Sequence, residues 1–188
     1  GILPSDFTQK KADRSYFEIA SSHIPASIEK ILAAALRSGI PARDIQVLAP
    51  MYRGTAGIDA INQLMQDLLN PHQKDQISFE APKCHYRKGD KIIHLVNDAE
   101  INVFNGDLGY ITDLIPGKYT ESKQDEIILD FDGNAVNYPR NEWYKIRLAY
   151  AMSIHKSQGS EFPVVILPIT SSSKRMLERN LIYTAITR

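Results

Sequence analysis

A chain of 188 residues, 43% hydrophobic and 23% charged, has the composition of an ordinary globular protein, with length for one sizeable core plus a small insertion. No apolar run approaches the ~20 residues that a membrane-spanning helix needs, and the N-terminal segment lacks the apolar stretch of a secretory signal. Lys+Arg balance Asp+Glu at 22 each, which excludes the bulk basic coat of a strongly cationic nucleic-acid binder but not a local groove touching a few phosphates.

The first helix is expected over residues 26–38, where Ile28, Ile31, Leu32, Ala35 and Leu36 repeat at three- and four-residue spacing. Gly39, Ile40 and Pro41 make a helix stop. A short apolar run over 44–50, closed by Pro50, reads as a buried strand. A second helix is expected over 56–69, with Ile61, Leu64, Met65 and Leu68 on one face and Asn70-Pro71 ending it. Helix, strand, helix in this rhythm indicates an α/β layer architecture.

Between residues 86 and 139 the pattern changes. Strand-like runs at 91–96, 108–115 and 126–131 are separated by turn signals at Asn105-Gly106, Pro116-Gly117 and Asp132-Gly133. This region reads as a small antiparallel β unit inserted into the α/β domain. The single cysteine, Cys84, cannot form an internal disulfide, and no Cys/His cluster has zinc-ligand spacing, so a reducing, cytoplasmic setting is expected.

The α/β rhythm returns after Trp143. An apolar run over 146–154 leads into a polar loop at 155–159; a buried parallel strand is expected over 164–168 and a helix over 174–188. The loop, His155-Lys156-Ser157-Gln158-Gly159, sets an imidazole, an amine, a hydroxyl and an amide beside a glycine that permits close approach to the backbone. Such a loop can bind phosphates through side chains and backbone N–H groups together. The alternative from physics alone is a strand-to-helix turn whose polar groups only cap.

The segment Ala149 to Pro163 resembles motif V of superfamily 1 helicases, its stretch His155 to Phe162 looks like the RecD-like branch, and Asn180 to Arg188 resembles motif VI of the same enzymes. Leu48 to Gly54 with Gly57 resembles motif IV. Gly89-Asp90-Lys91-Ile92, Asn97-Asp98 and Phe104-Asn105-Gly106-Asp107 resemble the RecD-family segment that leads into an SH3-like insertion. The resemblance implies an α/β fold: a RecA-like, P-loop NTPase-type second motor domain without its own Walker A motif, interrupted by an SH3-like antiparallel β unit. It places the first motor segment at 1–85, the insertion at 86–145 and the second segment at 146–188.

By the same resemblance, ATP lies between two motor domains. Arg188 corresponds to the arginine finger that meets charge on the γ-phosphate, a task suited to a planar guanidinium. Leu177, Leu181, Ala185 and Arg188 fall near one helical face. Arg53, Gln158, Gly159 and Glu161 correspond to nucleotide-side positions, and Ser153, His155 and Lys156 to positions on the DNA backbone. The bland alternatives are a solvated Arg53, a capping Gln158, a surface ion pair at Glu161 and a packed His155. Of the aromatics in or beside the insertion, Tyr110, Tyr119, Tyr138, Trp143 and Tyr144, none is assigned to DNA, because rings in a small β unit are more often its core.

The implied cofactors are ATP and Mg2+, with the metal held by an N-terminal motor domain of the same polypeptide. The implied partners are single-stranded DNA, that motor domain and subunits of an exonuclease complex, with 5′→3′ movement and no membrane. Residues 126–130 imitate a strand ending in a metal-binding aspartate. However, Asp130 runs on into Phe131-Asp132-Gly133, which is hairpin chemistry, and the chain holds no G-x-x-x-x-G-K-[ST]. Two other classes of answer remain open at this point, a non-catalytic nucleic-acid-binding module and an SH3-like interaction adaptor.

Overall fold

The computed structural model describes residues 15–170 and 184–185. Its strands and helices fall into two compact units. Asn62–Ala151 forms one, and the described residues on either side of it form the other.

In the flanking unit, helix α1 spans Ile24–Arg37 and begins with Pro25 in its first turn, where a missing N–H costs nothing. It buries Ile24, Ile28 and Leu32, whereas Leu36, expected on the same face, is 40% exposed. The helix stops where the sequence says it should. Gly39 takes φ +82°, and the N–H groups of Gly39 and Ile40 return to the carbonyls of Leu36 and Ala35 at 3.0 and 3.1 Å. Strand β1, Ile45–Ala49, is buried along its whole length. It is the middle of a three-stranded sheet whose outer members are β9, Ala151–Ser153, and β10, Val164–Ile166. β10 runs parallel to β1, with Ile45 opposite Val164 and Val47 opposite Ile166. Two of its three residues are only half-buried, as suits a strand at the edge of the described sheet.

Helix α2, Ile58–Leu69, buries Ile58, Ile61 and Met65, but Leu68 is 37% exposed. Its apolar face is narrower than the periodicity suggested, because Asn62 and Gln66 are buried as well.

The Asn62–Ala151 unit carries two antiparallel sheets. A hairpin of β2, Ser78–Ala81, and β3, Cys84–Arg87, pairs Phe79 with Tyr86. The sequence reading missed this hairpin, since each strand has only four residues, too few to establish a period. The larger sheet has the order β7-β6-β5-β4-β8, from β4 Lys91–His94, β5 Leu108–Ile115, β6 Glu126–Phe131, β7 Asn134–Pro139 and β8 Ile146–Leu148. The turn at Asp132-Gly133 is the expected two-residue type: both residues take positive φ, 52° and 89°, and Phe131 faces Asn134 across it. Asp130 lies in β6 opposite Ala135, and its carboxylate accepts from the Gly133 N–H of the turn at 3.1 Å.

The apolar run at 146–154 is not one strand. It supplies β8 to the antiparallel sheet and β9 to the other, with Ala149 and Tyr150 between them. A continuous run cannot show such a break, because both strands are equally buried.

The core of the larger sheet holds Tyr138 and Trp143, the indole N–H donating to the Tyr138 carbonyl at 3.0 Å. Tyr110, Tyr119 and Tyr144 are exposed. His94 is fully buried against Phe131 and Tyr138, with ring centroids at 6.0 and 5.7 Å. Neither ring nitrogen has a hydrogen-bond partner of good geometry among the described residues. Burial holds the imidazole below its ordinary pKa, against the opposing pull of the Val96 backbone first and then of Asp98 and Asp107.

The folded state therefore favours neutral His94, and below about pH 6.5 the unfolded chain binds the extra proton. Its stabilising contribution is complete above that pH and is lost as pH falls towards the lowered folded value. In urea unfolding at about pH 7.5 and about pH 5.5, His94→Leu is expected to lose less stability on acidification than the parent. Equal losses would exclude this role.

Candidate functional site

The loop that carries most of the candidate residues is built around two inward anchors. Residues Ile154–Ser157 form a 3-10 turn directly after β9. Ile154 and Ser157, three apart, are both buried, and the Ser157 hydroxyl donates to the Ile154 carbonyl at 2.7 Å. The residues beside those anchors turn outward. His155, Gln158, Gly159 and Glu161 are exposed, while Ser153 and Lys156 are half-buried. Gly159 takes φ +90°, and a Cβ built there meets no atom within 4 Å. Its role is conformational, since a left-handed backbone favours glycine, and it leaves a stretch of main chain open to a ligand.

Ser157 is a correction to the sequence reading, which set its hydroxyl among the ligand-facing groups of the loop: the hydroxyl is buried and spent on the Ile154 carbonyl. A hydroxyl three residues after an isoleucine specifies an anchor only once the turn is known.

Arg53 sits on a different loop, residues 50–57, which leaves β1, the strand adjacent to β9. Its side chain is exposed, as is that of Tyr52. The loop folds back on the start of α2: the N–H groups of Ile58 and Asp59 donate to the carbonyls of Met51 and Tyr52 at 2.9 and 3.2 Å. The helix start is thus already capped by this loop's own carbonyls. Gly57 makes the fold-back possible. A Cβ there would lie 2.5 Å from the Arg53 carbonyl carbon and oxygen and 2.6 Å from the Tyr52 oxygen.

The strand leading to the first loop is held from one side by a helix. Asn62 Nδ2 donates to the Ala151 carbonyl at 2.9 Å, and its Oδ1 accepts from the Ala151 N–H at 2.8 Å. Sequence reasoning missed Asn62. With Gln66 on α2 and Asn70 one residue past its end it forms an amide stripe at four-residue spacing, a pattern visible in the sequence but silent about what it grips.

The structure thus gathers Ser153, His155, Lys156, Gln158, Gly159 and Glu161 on one loop and sets Arg53 on the loop of the neighbouring strand. Arg188 lies outside the described residues, as do Leu177 and Leu181 and most of the helix expected over 174–188. Ala185 of that helix is described and buried. Among the described residues no three His, Cys, Asp or Glu side chains gather in a way that could hold a metal ion. No helix among them is long and apolar enough to cross a membrane.

The profile of the ATP-dependent RecD-like DNA helicase SH3 domain matches residues 61–131, and that of the UvrD-like helicase C-terminal domain matches residues 148–188. The chain belongs to the RecD-like helicases. The first match lies within the antiparallel unit apart from its opening residue, and the second covers β9 and the Ser153–Glu161 loop. The ATP-dependent RecD2 DNA helicase of Deinococcus radiodurans is 35% identical over 144 residues, which cover 77% of this chain and 19% of that protein. The RecBCD enzyme subunit RecD of Mycolicibacterium smegmatis is 29% identical over 143 residues, covering 76% of this chain and 23% of that subunit. The chain therefore spans about a fifth of the length of the curated relatives it matches.

A solved structure of coordinating Pif1 helicases unwinding forked double-stranded DNA shares the fold. Its TM-score is 0.53 at 19% identity, over 93% of this chain and 46% of that one. The RecD-like chain is thus a mixed α/β structure that shares the fold of that helicase and carries an SH3-type antiparallel unit.

Proposed function

We propose that this chain is the second motor-domain part of an ATP-dependent DNA helicase that moves 5′→3′ on single-stranded DNA in recombination or repair. One observation carries the proposal. The segment that matches a helicase C-terminal domain folds as a loop with two buried anchors and an outward row of His155, Gln158, Gly159 and Glu161. A loop that served only to cap would turn its polar groups inward.

In this reading the domain boundaries lie at about 85 and 145, with motor-type segments on either side of the SH3-like unit. The Ser153 hydroxyl, the His155 imidazole and the Lys156 ammonium hold phosphates of the DNA backbone, a sequence-independent grip suited to a translocating motor. On the nucleotide side, exposed Arg53 and the open backbone at Gly159 suit a polyphosphate, and Gln158 and Glu161 lie beside them in sequence. The guanidinium of Arg188 meets the charge that grows on the γ-phosphate oxygens. Mg2+ neutralises phosphate charge when bound. The chain lacks G-x-x-x-x-G-K-[ST], so that duty falls to an N-terminal motor domain of the same polypeptide. Subunits of an exonuclease complex are the further partners this reading admits, and the cytoplasm is its setting.

Two measurements test it. The 188-residue chain alone is expected to show no ATP turnover above background, for want of the P-loop lysine. Hydrolysis that copurifies with this chain and persists in a catalytically silent preparation background would contradict the assignment. The full-length protein is expected to unwind a 5′-tailed duplex and to leave a 3′-tailed one intact. Binding of DNA without unwinding would favour a non-catalytic module instead.

A further inference from the structure

The approach to the 153–159 loop is pinned at three consecutive residues. The Ala149 N–H donates to the Lys91 carbonyl at 2.8 Å. The Tyr150 hydroxyl donates to Asp90 Oδ1 at 3.0 Å. Ala151 gives its N–H and its carbonyl to the Asn62 amide, at 2.8 and 2.9 Å. Asn62 is 3% exposed and Asp90 is fully buried.

Two of the three pins lead to an amide stripe, Asn62 and Gln66 on α2 and Asn70 one residue past its end. Gln66 Nε2 donates to Asp90 Oδ2 at 2.6 Å, and Asn70 Nδ2 donates to Asp90 Oδ1 at 2.8 Å. The Arg87 N–H adds a fourth donor to Asp90 at 2.7 Å. Asp90 with Gln66 and Asn70 thus forms a polar hub at residue 150, and Asn62, one turn before Gln66 on α2, grips residue 151.

Such a hub is costly to build. Taking a carboxylate out of water penalises its charged form, and desolvation raises the Asp90 pKa even against four hydrogen bonds. An apolar contact of similar volume would stabilise as well. What the polar arrangement adds is geometry. Strand β9 has three residues and stands at one end of its described sheet, so strand pairing on one side alone holds it. The Asn62 amide presents one donor and one acceptor to Ala151, as the peptide group of a neighbouring strand would. Ser153, the first candidate DNA contact, lies two residues further on.

We propose that Asn62, with Asp90 acting through Tyr150, is a positioning residue that fixes the backbone leading into the 153–159 loop and thereby sets its grip on single-stranded DNA. The DNA half of this statement rests on the function proposed above; the positioning half rests on the geometry alone.

The test uses the full-length protein and two readouts, amide hydrogen exchange over 151–159 and anisotropy of a fluorescent oligothymidylate. Asn62→Ala and Tyr150→Phe are each expected to speed exchange in that segment and to weaken oligonucleotide binding. For Asn62→Ala both effects should be about tenfold, the scale of one lost buried hydrogen-bonding group. The control is Tyr86→Phe, which loses a buried hydrogen bond to the Ile146 carbonyl. It should lower the thermal midpoint while leaving both readouts unchanged.

Unchanged exchange in both variants, or the same acceleration in Tyr86→Phe, overturns the proposal. Faster exchange in a protein that binds no oligonucleotide even as wild type upholds the positioning role and overturns the DNA reading instead. Tyr150→Phe removes a single hydroxyl, so it decides the matter if Asn62→Ala does not fold.

Discussion

Arg188→Ala in the full-length protein is expected to lower DNA-stimulated ATP hydrolysis by about a thousandfold, the lower end of what arginine fingers contribute to kcat. Nucleotide affinity should change little, because a finger of this kind contributes where charge develops and not where the ground-state nucleotide rests. The charge argument also predicts that Arg188→Lys rescues poorly. An ammonium is a compact point charge and cannot bridge two phosphoryl oxygens in one plane as a guanidinium does. The readout is steady-state hydrolysis at saturating single-stranded DNA, paired with nucleotide binding measured separately. Near-normal kcat in the alanine variant would remove Arg188 from the reaction, and a parallel loss of binding would make it a ground-state contact.

Gly57→Ala is expected to do its damage without touching a charged group. The added Cβ would fall 2.5 Å from the Arg53 carbonyl carbon and oxygen and 2.6 Å from the Tyr52 oxygen. These are main-chain atoms, so no rotamer change relieves the clash and the 50–57 loop must open. Opening it removes the hydrogen bonds from Ile58 and Asp59 to Met51 and Tyr52 that cap α2. Overpacking plus lost caps should cost about 3 kcal/mol of stability. If the Arg53 loop faces the nucleotide, nucleotide affinity should fall as well. Thermal unfolding and nucleotide titration check the two parts separately. A Gly57→Ala protein with an unchanged midpoint would mean that the loop tolerates another path. The contrast is Gly159, where a Cβ meets nothing and only the left-handed backbone resists substitution.

Local chemistry explains what was legible in advance. The stop of α1 at Gly39, the strand β6 and the two-residue turn at Asp132-Gly133 are decided by neighbours in sequence, and the structure places all three as expected. That the strand after the loop runs parallel was likewise expected, but its partner β1, its shorter span Val164–Ile166 and its half-buried residues were not. Of the site, the residue types and their order on one loop could be listed from the motif at 155–162.

Tertiary structure decided the rest. The run at 146–154 divides between two sheets, and nothing in an evenly buried stretch marks the division. Leu36 and Leu68 stand out in water although their periodicity assigns them to the core, because burial depends on what another element covers. Ser157 and Asn62 matter through a turn and through a contact 89 residues away in the chain, and no spacing rule reaches that far. The sequence by itself determined the chemistry available at this site and the family to which it belongs. Only the folded chain decided which of those groups turn outward to a ligand and which hold the backbone still, since orientation arises from packing between segments that the linear order keeps apart.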